Sequence, residues 1–166
     1  MASERSNAAA RAEIEAAIPH RAPFLFVDRI VERASCRIVT EWDVRADLPA
    51  FAGHYPGRPV LPGVLASEFC FQSAALLFAL AAPAPAPASA SGTPVRAQIP
   101  VLTRIEDARF KKLVGPGETL RAELETTETL ANVRWMKAHV TSAGETVLRI
   151  RFAVALLAAE PAEART

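Results

Sequence analysis

The chain has few cysteines, few histidines and almost no net charge, and each scarcity narrows the possibilities. Two cysteines in 166 residues, Cys36 and Cys70, make no disulfide framework. A reduced, cytoplasmic setting is the expectation. Three histidines, His20, His54 and His139, are scattered through the chain and form no metal-ligand cluster, so no metal is expected. The net charge of +1 gives no global field for nucleic acid or an anionic membrane. GHYPG at residues 53–57 lacks the glycine-lysine-serine ending of a phosphate loop, and no dinucleotide fingerprint occurs. No resident cofactor is therefore expected. The opening MASERSNAAARAE has no apolar signal core.

Apolar residues make up 51% of the chain, enough for the core of one domain. The chain is organised around residues 53–72, GHYPGRPVLPGVLASEFCFQ. The first half is turn-rich, with Gly53, Pro56, Gly57 and Pro59 around His54 and Arg58. The second half is expected to be a helix from Pro62 to about Leu80. Proline suits a first turn, where its missing N–H would go unpaired anyway. Gly63 leaves its N–H unshielded, and a helix start with bare N–H groups suits an oxygen that carries or develops negative charge. The helix is apolar on nearly every side, which means a core or a membrane. Glu68 and Gln72 are four apart and share a face. They argue against a membrane span, as does the absence of flanking basic clusters. A carboxylate among apolar neighbours needs a partner or its neutral form.

The remaining chain has mostly strand character. Residues 1–10 are small and polar and are expected to fray, and residues 11–17 to form a short helix ended by Pro19. Residues 24–31 and 36–44 are expected to pair as a hairpin. His20 is expected to shape a turn through hydrogen bonds. Residues 81–94 alternate Ala and Pro, which suits an extended connector or a lid. Residues 98–112 hold one or two strand segments. Gly115-Pro116-Gly117 and Ser142-Ala143-Gly144 are turns. Residues 119–127 and 147–157 have a period of two, with Leu120, Ala122 and Leu124 on one face of the first. Short turns between such strands mean an antiparallel sheet, and one apolar helix needs that sheet as cover. The fold class is α+β: one domain over residues 11–158, with a tail at 159–166.

GHYPGRPVLPGVLASE, with IPHRAPFLFVDRI at residues 18–30 and EDARFKKLVGPGETL at 106–120, resembles the 3-hydroxyacyl-[acyl-carrier-protein] dehydratase family of the FabZ type. The three segments stand in the family's order, and the likeness spans residues 14–157. It implies a hotdog fold, in which a curved antiparallel sheet wraps a long central helix. It implies a homodimer, or a trimer of such dimers, with active sites between subunits. His54 and Glu68 match the family's catalytic pair, His54 of one subunit working with Glu68 of the other. Glu rather than Asp at position 68 resembles the branch that dehydrates without isomerising. The substrate would arrive on phosphopantetheine of an acidic acyl carrier protein, docked by Arg109, Lys111 and Lys112. The family's aromatic gate before position 105 is replaced here by Pro100, Val101, Leu102, Thr103 and Arg104.

The chemistry fits those residues. Dehydration of a 3-hydroxyacyl thioester needs a base for the proton next to the carbonyl, a role that suits His54. It needs a donor for the departing hydroxyl, a role for Glu68 in its protonated form. It needs N–H groups at the thioester oxygen, which Gly63, followed by Val64, supplies at the helix start. The alternatives are another hotdog acyl-thioester enzyme, an enoyl hydratase or thioesterase, and a non-catalytic acyl-binding or partner subunit.

Overall fold

The structure is a computed structural model and describes residues 2–81 and 98–158. Residues 82–94 of the Ala/Pro connector and the tail at 159–166 lie outside the described residues.

Helix α1 spans Ala2–Ala17, so it starts well before the Arg11 expected from the sequence. The physical reason is composition: Ala8, Ala9, Ala10 and Ala12 are strong helix formers and extend the helix backwards. Ile14 and Ile18 are buried and anchor its end. Arg21 satisfies carbonyls left bare there, with Nη2 donating to Glu15 O at 2.7 Å and Nη1 to Ile18 O at 2.8 Å.

Strands β1 (Arg29–Arg33) and β2 (Arg37–Asp43) form the expected antiparallel hairpin, but β1 begins late. The residues before it, Leu25, Phe26 and Val27, are buried without belonging to a strand. A side chain replaces the missing strand partner. Gln72 accepts from Phe26 N at 2.8 Å and donates through Nε2 to Phe24 O at 3.0 Å.

A five-residue helix, α2 (Ala50–His54), is held by the buried Phe51 where a plain loop was expected. Helix α3 spans Gly63–Ala81. Strands β3 (Gln98–Phe110), β4 (Thr119–Leu130), β5 (Val133–Ser142) and β6 (Glu145–Ala158) follow. All six strands form one antiparallel sheet in the order β1-β2-β4-β5-β6-β3. The turn between β5 and β6 has positive φ at Ala143 (49°) and Gly144 (82°), the backbone a two-residue hairpin requires.

The sheet curls around α3. Ile38, Leu120, Leu124, Leu148, Ile150 and Phe152 face Phe69, Leu76 and Leu77 in one continuous core. The alternation expected for β4 is present, with Leu120 and Ala122 fully buried and Arg121 and Glu123 turned outward. Thr40 and Ser73 meet across the helix–sheet interface at 2.7 Å, so their buried hydroxyls are satisfied. Cys70 is fully buried, and burial pushes its thiol well up, so it behaves as a small hydrophobe. Helix α3 is long and apolar enough to cross a membrane, but 56% of its most apolar window is buried inside this domain.

Gln72 ties the core helix to the segment before β1, which yields a prediction. Gln72→Leu keeps the volume but strands the buried Phe26 N–H. It should cost about 1–3 kcal/mol in urea unfolding.

Candidate active site

His54 is the last residue of α2, and its orientation is fixed by one bond. Its Nδ1 lies 3.0 Å from Val60 O. A carbonyl only accepts, so Nδ1 carries the proton and the lone pair of the neutral ring is on Nε2. The ring of Tyr55 packs edge-on at 4.4 Å. Between His54 and Val60, Gly57 takes a φ of 81°, and Arg58 N bonds Tyr55 O at 3.0 Å. That turn brings the chain back so that Val60 can receive His54.

His54 opens on a cleft of about 380 Å³ that also includes Gly63, Val64, Phe110 and Lys112 in its walls. Its floor is pinned where Leu61 N bonds Val114 O at 2.8 Å. Gly63 opens α3. The first N–H groups of a helix have no carbonyl within it to bond, and the helix dipole adds positive potential at that end. The ring of Phe110 lies directly over Gly63, where a Cβ would come within 2.9 Å of Cε1. A side chain at this position would have to push the exposed Phe110 ring aside. Phe110 is a site residue that the sequence analysis missed; its signal was an aromatic at the end of the segment whose upstream aromatics are absent.

Glu68 does not line this cleft. It lies on α3 one turn past Val64, about 6 Å along the axis. It has the partner that such a carboxyl needs, because Gln72 Nε2 donates to Glu68 Oε1 at 3.0 Å. The side chain is 22% exposed, so it sits at a rim and is less enclosed than the apolar sequence around it suggested. One chain therefore brings together His54, Gly63 and Val64 and holds Glu68 apart from them.

His20 departs from expectation. It does not shape its turn by side-chain hydrogen bonds; Arg21 does that. The His20 ring reaches α3 instead, with Nε2 3.8 Å from Glu68 Oε1. Its Nδ1 is buried with no hydrogen-bond partner among the described residues. Forty-eight residues separate the two side chains, so no local pattern reveals the meeting.

The three basic residues expected to dock a carrier separate. Lys112 is held by Glu118 at 2.9 Å and Glu145 at 3.2 Å, which raise its pKa, so its charge is already matched. Arg109 faces Asp107 at 3.3 Å and lines a groove on the sheet, away from His54. Lys111 is exposed. No group of three or more His, Cys, Asp or Glu fit to hold a metal occurs among the described residues.

Glu118 braces the cleft wall. Burial pushes its carboxyl up, but hydrogen bonds from Ser142 Oγ, the Gly115 N–H and Lys112 prevail and hold it at about 2. The loop carrying Leu113 and Val114 is thereby fixed.

A sheet curled around one apolar helix, with a cleft at the helix start, defines the hotdog class of α+β domain. Residues 18–151 match the FabA-like domain family. The 3-hydroxyacyl-[acyl-carrier-protein] dehydratase FabZ of Solibacter usitatus is 40% identical over 135 residues, covering 81% of this chain and 77% of that protein. The FabZ of Chloroflexus aggregans is 40% identical over 134 residues, covering 80% of this chain and 85% of the relative. Among solved structures, the dehydratase heterocomplex ApeI:P from Xenorhabdus doucetiae superposes with a TM-score of 0.67 at 13% identity, over 86% of this chain and 90% of that one. The chain belongs to the FabA-like family and is of the FabZ type.

Glu118 gives a pH prediction. Its folded value of about 2 lies below its ordinary 4.5, so its contribution is complete above pH 4.5 and is lost as pH falls toward 2. Urea midpoints should drop across that window, and Glu118→Gln should flatten that part of the profile.

Proposed function

We propose that this protein removes water from a 3-hydroxyacyl thioester on acyl carrier protein, giving the trans-2-enoyl thioester in fatty-acid biosynthesis. The observation that carries this reading is the bond from His54 Nδ1 to Val60 O, beside the open start of α3. It leaves Nε2 as a base in the same cleft as the Gly63 N–H.

In the reaction, Nε2 takes the proton from C2 as the C2–C3 double bond forms. The C3–O bond breaks, and Glu68 protonates the departing hydroxyl, so water leaves. The Gly63 N–H and the α3 dipole stabilise the charge that gathers on the thioester oxygen. Val64 lies against the acyl chain. Phosphopantetheine arrives on the carrier, and the enzyme needs no cofactor of its own. Lys111 remains the basic side chain suited to meeting an acidic carrier.

Glu68 reaches the cleft from a second copy of the chain. The support is the surface left uncovered. Among the described residues β3 pairs only with β6, leaving its other edge open. Ile99, Val101, Leu102 and Ile105 on β3 are 39–49% exposed, and Val64 is 71% exposed. An open apolar edge of this length invites pairing with another chain. A homodimer covers both surfaces and brings each Glu68 toward the partner's cleft. Such dimers can group in threes. Two unpaired cysteines suit the reducing cytoplasm.

The test is mass spectrometry of 3-hydroxyacyl carriers of several lengths after exposure to the protein. An unsaturated thioester, one water lighter, is expected. Free acid with free thiol would mean a thioesterase, and unchanged carrier a binding subunit. His54→Ala should lower turnover by about 10²–10⁴-fold; an unchanged rate would remove the base from the mechanism.

A further inference from the structure

His20 has no part in the reaction just described, yet its ring contacts one of the reacting groups. Its position is over-determined. Pro19 ends α1 just before it, and Arg21 Nη1 clamps its carbonyl oxygen at 2.7 Å. The Phe24 ring stacks on the imidazole, with centroids 6.5 Å apart and planes 26° apart. Held this way, the ring presents Nε2 to Glu68 Oε1 at 3.8 Å.

The unpartnered Nδ1 indicates where the proton resides. A proton on Nδ1 would leave a buried N–H with nothing to bond, a rare and costly arrangement. With the proton on Nε2, the unmatched atom is only a lone pair, and the N–H is on the nitrogen that lies 3.8 Å from the carboxyl. Gln72 Nε2 approaches the same Oε1 at 3.0 Å. Gln72 thus fixes Oε1 by a hydrogen bond, and the His20 ring stands 3.8 Å from the same oxygen. The side chain of Gln72 is itself locked by its two backbone bonds to Phe24 and Phe26.

We propose that His20 is a positioning residue, which with Gln72 holds the Glu68 carboxyl in the orientation that reaches the leaving hydroxyl. This rests on the role given to Glu68 above. The separation of 3.8 Å exceeds a hydrogen bond, and such contacts in an unliganded site tighten when substrate binds. His20 therefore acts through Glu68 and touches no reacting atom.

Five variants test this with steady-state kinetics on the full chain. His20→Ala should lower kcat on the order of 10²-fold and leave KM little changed. His20→Phe fills the same space without a donor and should match it, which separates lost volume from lost hydrogen bonding. His20→Gln retains an N–H of similar reach and should restore most of kcat. In a Glu68→Gln background, His20→Ala should cost nothing further, because the two residues work as a unit. Full kcat in His20→Phe, no rescue by His20→Gln, or an equal further loss in the Glu68→Gln background would each overturn the inference. A Glu68→Gln variant with normal turnover would overturn the reaction scheme and this inference together. A normal Glu68→Gln loss with an unaffected His20→Phe would overturn this inference alone.

Discussion

A helix apolar on nearly all sides cannot be covered by one curled sheet, and the rest of the structure follows from that shortfall. The sheet buries Phe69, Cys70 and the run from Gln72 to Leu77. Val64 at the helix start stays exposed, and the open edge of β3 adds an apolar strip of its own. A single copy thus ends with its candidate base in a cleft and its candidate acid outside it. In the proposed dimer, one second chain answers both the packing deficit and the incomplete site.

The polar residues of α3 are economical. Ser73 anchors the helix to β2 through Thr40. Gln72 spends one end on the backbone of Phe26 and the other on Phe24 and Glu68. One amide therefore couples the segment before β1 to the candidate acid. Stability and function share this stripe, so a carboxyl that would be costly among apolar neighbours is held in a defined place.

Much of this was legible in the sequence because it is locally encoded. Pro62 and Gly63 mark the start of α3, period-two alternation marks β4 and β6, and the turns at residues 115–117 and 142–144 follow from their glycines. The i, i+4 spacing of Glu68 and Gln72 placed them together, and they bond. What escaped depends on distant partners. β1 starts late because a glutamine far along the chain takes the backbone bonds of Phe24 and Phe26. His20 looked like a turn residue because Glu68 is remote in sequence. Lys112 looked free until β6 supplied Glu145 and the turn before β4 supplied Glu118. Phe110 reads as one more strand aromatic until the fold lays it over Gly63.

Subunit complementation tests the central claim most directly. His54→Ala and Glu68→Gln chains, each inactive alone, are mixed under conditions that exchange subunits. If each site takes His54 from one chain and Glu68 from the other, every hybrid dimer holds one intact site. Random pairing then restores about a quarter of wild-type turnover. If both residues serve the same chain's site, no hybrid holds an intact pair, and a mixture that stays inactive despite proven exchange contradicts the account.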